Sequence, residues 1–251
     1  VRDDLVDAPA LGPQEALSLN QPQQEALDAL TSADASGAFC LYGVTGSGKT
    51  EVFLGAAKHA LQEGKQVLVL VPEIGLTPQL VGRFRARFGP DVAVLHSGLT
   101  GAERLAQWRR IRAGEAPVAV GARSAIFAPF VKLGLIVVDE EHENTYKQEN
   151  PPRYQGRDLA VVRGHIEGCA VVLGSATPSL ESFQNCRSGK YDLIRLDERA
   201  DGQSLPLIRI VDMRTETRKH KGGPAILSDR LRMDMEKKLE DGQQVILFLN
   251  R

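Results

Sequence analysis

Six short runs are apolar at consecutive positions: Phe39–Tyr42, Gln66–Val71, Val92–Leu95, Val118–Gly121, Leu135–Asp139 and Ala170–Gly174. A strand wetted on one face alternates apolar with polar residues, whereas a strand covered on both faces reads as a continuous apolar run. Between the runs lie stretches with helical spacing, Lys49–Glu63, Pro78–Phe88, Gly101–Ala113 and Gln155–Glu167. In the second of these, Leu80, Phe84 and Phe88 recur at four-residue intervals while Arg83 and Arg87 share another face. Strand and helix in alternation predict an α/β fold in three layers, a parallel sheet with helices on both faces.

Two breaks bound this pattern. Residues 1–18 are rich in Asp, Pro and Ala without periodicity and read as a linker; Glu198–Pro206 is a second polar break. Beyond it the expected order is a strand at Leu207–Met213, a charged loop, a helix from Ser228 to Glu240 and a strand at Val245–Asn250. Ser228 suits an N-cap and Gly242 a helix stop. The expected organisation is therefore a linker over 1–18, one lobe over 19–200, and over 201–251 a linker with the incomplete start of a second α/β lobe.

Composition narrows the partners. The chain has 251 residues, of which 42% are hydrophobic, enough for one large core. A net charge of -1 supplies no general basic field, so any nucleic acid must be held by local patches. Cys40, Cys169 and Cys186 form no CxxC pair and read as reduced thiols of a cytoplasmic protein. No apolar run has membrane-spanning length, the first residues are no signal peptide, and both ends read as cut from a longer protein.

The chemistry begins at "GVTGSGKT", Gly43–Thr50. An apolar run precedes it and a helical pattern follows, the context a phosphate-binding loop requires. Backbone N–H groups of Gly43, Thr45, Gly46, Ser47 and Gly48 would curl around phosphate oxygens at a helix N-terminus. Lys49 would reach the β- and γ-phosphates of ATP, and Thr50 would ligate Mg²⁺. The run Leu135–Asp139 ends in "DEEH", Asp139–His142, where adjacent like charges would repel unless a cation joins them. Asp139 is thus a second metal-shell position and Glu140 the group that orients or deprotonates the attacking water, while Glu141 reads as structural.

Eight stretches occur in order from Gly43 to Arg251: "GVTGSGKTEVF", "VPEIGLTPQ", "VLHSGL", "GARSAIFAPF", "VVDEEH", "YKQENPPRYQGRDLAVVR", "GSATPS" and "VILFLNR". Together they resemble superfamily 2 helicases with a DExH box, and among these the primosomal replication-restart helicases of bacteria. The resemblance implies a RecA-like lobe with the beginning of a second one, an ATP-driven 3′-to-5′ motor, and single-stranded and forked DNA as substrate. Replication-restart and single-strand-binding proteins as partners, a monomeric state and a cytoplasmic location follow from the same resemblance.

It also assigns residues. In "LNQPQ" the adenine reader is Gln23. Thr77, Arg123 and Ser124 fall in loops that contact the DNA backbone, and such side chains bond phosphate without reading sequence. Tyr146, Lys147, Arg153, Tyr154 and Arg157 fall in an aromatic-rich loop that senses DNA, mixing rings for base stacking with cations. Ser175 and Thr177, in "GSATPS", couple nucleotide to DNA through His142, counted among the catalytic residues. The basic run Arg218–Lys221 reads as a solvated loop. Zinc is expected of the full-length family, but no ligand spacing for it occurs here. The family's arginine finger comes from the second lobe, so this chain by itself holds one wall of the site and is expected to turn over almost no ATP. Two other readings stay open: another superfamily 2 translocase, and a nucleotide-binding module without turnover.

Overall fold

The computed structural model describes residues 18–32, 36–73, 78–89, 91–200, 207–215 and 226–248. Helix α1 (Gln21–Thr31) opens on a reciprocal cap, in which the Asn20 side chain takes the Gln23 N–H and the Gln23 side chain takes the Asn20 N–H. There follow β1 (Gly37–Gly43), α2 (Lys49–Gln62), β2 (Gln66–Leu70), α3 (Pro78–Phe88), β3 (Val92–Leu95), α4 (Gly101–Ala113) and β4 (Val118–Gly121). The chain continues through β5 (Leu133–Val138), a small hairpin β6 (Lys147–Gln148) and β7 (Tyr154–Gln155), then α5 (Gly156–Glu167) and β8 (Ala170–Ser175). Helix α6 (Leu180–Arg187) and strand β9 (Asp192–Leu196) complete this unit.

Seven strands form one sheet in the order β3–β4–β2–β5–β8–β1–β9. Every pairing in it is parallel. Continuous apolar strands follow from burial on both faces. Phe39, Leu41, Val69 and Val137 turn toward α1, α2 and α3, packing with Leu30, Phe53 and Phe84. Their neighbours Leu68, Leu70, Ile136 and Leu173 turn the other way, against Ile111 of α4 and Ala160 of α5. Each such Leu or Ile, fully withdrawn from water, contributes about 1.5–3 kcal/mol. The three cysteines are free thiols.

Register positions the site. Val138 of β5 lies beside Leu173 of β8, and Leu173 lies beside Cys40 of β1. The carboxyl ends of β5, β8 and β1 therefore finish side by side, the rim at which α/β sheets bind ligands.

Residues Ser204–Arg251 form a second compact unit. Its helix α7 (Asp229–Glu240) starts at Ser228, whose hydroxyl accepts from the Leu231 N–H at 3.1 Å. Gly242, at φ 70°, follows its end. The strands expected at Leu207–Met213 and Val245–Asn250 do not form among the described residues, of which 207–212 and 243–248 carry no ladder. A strand exists only against a partner, and α7, which buries none of its residues, covers no sheet within this unit.

Candidate nucleotide site

The turn from β1 into α2 is closed so tightly that two of its positions exclude any side chain. A Cβ on Gly43 would lie 2.5 Å from Ser47 Oγ, and one on Gly48 would collide with the Gln23 amide. Gly46 and Gly48 both hold left-handed backbone, at φ 82° and 83°. Helix α2 has no side-chain cap, which leaves its N-terminus open to an anion. Lys49 is buried, and its ammonium donates to the Gly43 carbonyl at 2.7 Å. Ser47 Oγ is buried without a partner among the described residues, a hydroxyl left for an incoming oxygen. Thr45 and Gly46 are exposed at the mouth and Thr50 is half-buried.

Gln23 stands behind this loop with both ends of its amide in use. Its Oε1 accepts from the Asn20 N–H at 3.0 Å, and its Nε2 donates to the Ser47 carbonyl at 2.9 Å. One N–H and one lone pair remain for a base edge. In this state the residue assigned to adenine is a clamp between α1 and the phosphate loop.

At the end of β5 the Asp139 N–H donates to the Leu70 carbonyl, 2.9 Å away. Burial pushes the Asp139 carboxyl up to about 6, and the neighbouring Glu140 charge adds to the rise; Lys49 and His142 pull the other way. A buried carboxylate that is costly to ionise fits a divalent cation. Among the described residues no three metal-ligating side chains gather. Mg²⁺ keeps most of its waters and takes one or two protein oxygens, and Thr50 and Asp139 remain its expected ligands.

Glu140 has left-handed backbone, φ 45°, the one non-glycine residue so held among those described. Such a conformation costs about 1–3 kcal/mol and persists where the surroundings enforce it. Its carboxylate lies 3.7 Å from His142 Nδ1, and that nitrogen shares a 2.8 Å hydrogen bond with Ser175 Oγ. The same hydroxyl accepts from the Thr177 N–H at 2.9 Å, so the histidine is tied to the end of β8 through Ser175.

Residues 20–186 match the family model for the DEAD/DEAH box helicase. The chain belongs to the DEAD/DEAH box helicase family. It is 48% identical over 231 residues to the replication restart protein PriA of Bacillus subtilis, covering 92% of this chain and 28% of that protein. To the PriA of Chlamydia pneumoniae it is 45% identical over 261 residues, covering 99% of this chain and 35% of the relative. This helicase chain thus spans about a third of the length of those relatives. Two solved structures share the fold. RecG bound to a three-way DNA junction superposes with a TM-score of 0.56 at 23% identity, over 75% of this chain and 25% of RecG. The Pyrococcus furiosus Hef helicase domain gives 0.52 at 19%, over 86% of this chain and 53% of that domain.

The helicase rim departs from expectation at two residues. Tyr146, expected to stack on bases, is wholly buried, and its hydroxyl donates to the Asp139 carbonyl at 2.6 Å. Arg157, expected to face DNA, is buried, with its guanidinium on Glu141 at 3.1 Å and on Asp158 at 2.9 Å. Both belong to the roots of the β6–β7 hairpin, where core packing claims them. Its outer residues stay available. Lys147 and Arg153 are exposed, and Tyr154 is half-buried with its ring edge-on to Phe127 at 5.2 Å. Arg123 donates to the carbonyls of Thr145 and Lys147 at 3.0 and 2.8 Å, bracing the hairpin, while Ser124 is exposed. Thr77 and the run Arg218–Lys221 lie outside the described residues.

Glu141 is the residue that sequence reasoning underrated. It is fully buried and collects the Ser179 N–H at 2.7 Å, the Ser182 hydroxyl at 2.9 Å and Arg157. The signal was present: three adjacent carboxylates at a buried strand end cannot all face one cation, so one must find a partner of its own.

Proposed function

We propose that this chain is the ATP-binding lobe of a replication-restart DNA helicase that moves 3′ to 5′ along single-stranded DNA and opens forked substrates. The observation that carries the reading is the meeting, at one sheet edge, of Lys49, Asp139 and the Glu140–His142–Ser175 chain. Thr50 and Asp139 would hold Mg²⁺, which when bound neutralises charge on the transferring phosphoryl group. Lys49 exchanges the Gly43 carbonyl for phosphate oxygens. Glu140 takes the proton of the attacking water, and His142 carries the state of that site to Ser175 and Thr177. Arg123, Ser124, Lys147, Arg153 and Tyr154 offer the DNA contacts, with Thr77, outside the described residues, as a further one. Replication-restart and single-strand-binding proteins are the partners of this proposed motor, which would act as a cytoplasmic monomer. The proposed division is a linker over 1–18, this lobe over 19–200, and the beginning of the facing lobe over 201–251.

The test is turnover and unwinding by the complete natural protein. ATP hydrolysis should rise on adding single-stranded DNA, and forks with a 3′ single-stranded tail should open faster than those with a 5′ tail. Stimulation by duplex without unwinding would favour a double-strand translocase. Nucleotide binding with no turnover under any DNA would reduce the lobe to a gated binding module.

A further inference from the structure

We infer that Glu141 and Arg157 are positioning residues that transmit the load on the β6–β7 hairpin to the water-activating residue Glu140. This rests on the helicase reading above and names the physical link between its two halves. Arg157 lies in the first turn of α5, two residues beyond β7. Tyr154 and Arg153, at the outer part of the hairpin, are therefore joined to it by a few residues of backbone. A pull on β7 reaches Arg157 with little slack.

What Arg157 grips decides where the pull goes. Its Nη1 donates to Glu141 Oε2 at 3.1 Å and to Ser179 Oγ at 2.6 Å. Ser179 returns its hydroxyl to Glu141 Oε2 at 3.1 Å, and its N–H holds the other carboxylate oxygen at 2.7 Å. The cluster thus joins three segments: the hairpin root, the acidic stretch after β5, and the start of α6 just past "GSATPS". The Glu141 side chain is sealed from water and that of Arg157 is nearly so, at 0% and 10% exposure. No solvent can take over a lost contact there, so the arrangement shifts as a unit or breaks at large cost. Glu141 sits between Glu140, held at φ 45°, and His142, bonded to Ser175. Its own N–H is fixed to the Gly174 carbonyl at 3.0 Å. A displaced carboxylate therefore acts on the backbone at the one strained residue of the site, turning Glu140 toward or away from the water.

The experiment uses the complete natural protein and oligo-dT as the DNA probe, reading the ratio of DNA-stimulated to DNA-free ATP turnover. The double variant Glu141→Leu with Arg157→Met removes both buried charges, so neither is left unpaired. It should bind oligo-dT within about threefold of wild type while the ratio falls about tenfold or more, inside the range usual for coupling between two sites. A ratio unchanged from wild type would make the cluster structural only and overturn the proposal. Should the double variant fail to fold, Arg157→Lys keeps the buried charge but cannot reach Glu141 and Ser179 together. It should lower the ratio while its melting temperature stays close to wild type; an unchanged ratio overturns the proposal equally. A wild-type protein that ignores oligo-dT altogether would instead defeat the helicase reading on which this rests.

Discussion

Tyr146 donates its phenol hydroxyl to the main-chain carbonyl of Asp139 at 2.6 Å, joining the start of the hairpin to the residue proposed to hold metal. The phenol is deeply buried, and burial together with the Asp139 charge pushes its ionisation far above the usual range, so it serves as a donor at any ordinary pH. Tyr146→Phe leaves the ring in the core and removes only that donor. The orphaned carbonyl should cost about 1–3 kcal/mol of stability. Denaturant unfolding of the two forms measures it, and an unchanged midpoint would contradict the bond.

Asp139 gives a prediction with a definite sign. Its folded pKa lies near 6, above the ordinary value of 3.8. The native state then binds more protons than the unfolded one between those values, so this group's contribution to stability declines as pH rises from 3.8 toward 6. Above 6 the ionised carboxylate costs about 2–3 kcal/mol. Asp139→Asn should therefore melt higher than wild type at pH 7.5, with the gap closing by pH 4. The same variant should lose the stabilisation that Mg²⁺ and ATP give wild type together. Both follow from calorimetric scans at the two pH values, and a lower melting temperature for the variant at pH 7.5 would refute the assignment.

The clamp made by Gln23 predicts how nucleotide affinity responds to its loss. Gln23→Ala frees the Ser47 carbonyl and opens space beside Gly48. A loosened phosphate loop weakens any nucleoside triphosphate, so ATP and GTP should both bind about 5–10-fold less tightly, the loss of one hydrogen bond. Fluorescence titration with both nucleotides separates this from base reading, which would weaken ATP alone.

Glu140→Gln keeps the size and polarity of the side chain and removes its basicity. Nucleotide affinity should hold while turnover in the complete protein falls about 10²–10⁴-fold, the usual contribution of a general base. Parallel losses of binding and turnover would place Glu140 in the phosphate site instead.

Much of this was legible in the sequence because it depends on local spacing. The phosphate loop, the acidic stretch and six of the seven sheet strands follow from apolar runs and glycine positions. Strand β9 was missed because Asp192 and Arg195 interrupt "DLIRL" and only Leu196 is buried, so this edge strand offers no continuous apolar run. The hairpin was only half readable. Its aromatic and basic composition announces a surface loop, yet Tyr146 and Arg157 are drawn inward by the Asp139 carbonyl and the Glu141 carboxylate, which apolar and basic spacing does not reveal. The strands expected after Leu207 failed for a related reason, since an apolar run specifies burial without supplying the neighbour to be buried against.

The sheet order has a metrical consequence. Because β8 lies between β1 and β5, the strand that ends at Gly43 and the strand that leads into Asp139 run two ladder steps apart, about 9–10 Å. That span is ruled off by backbone, strand against strand, and no side-chain replacement can lengthen it. On the proposed reading, the phosphate chain bound here is gauged first by its length.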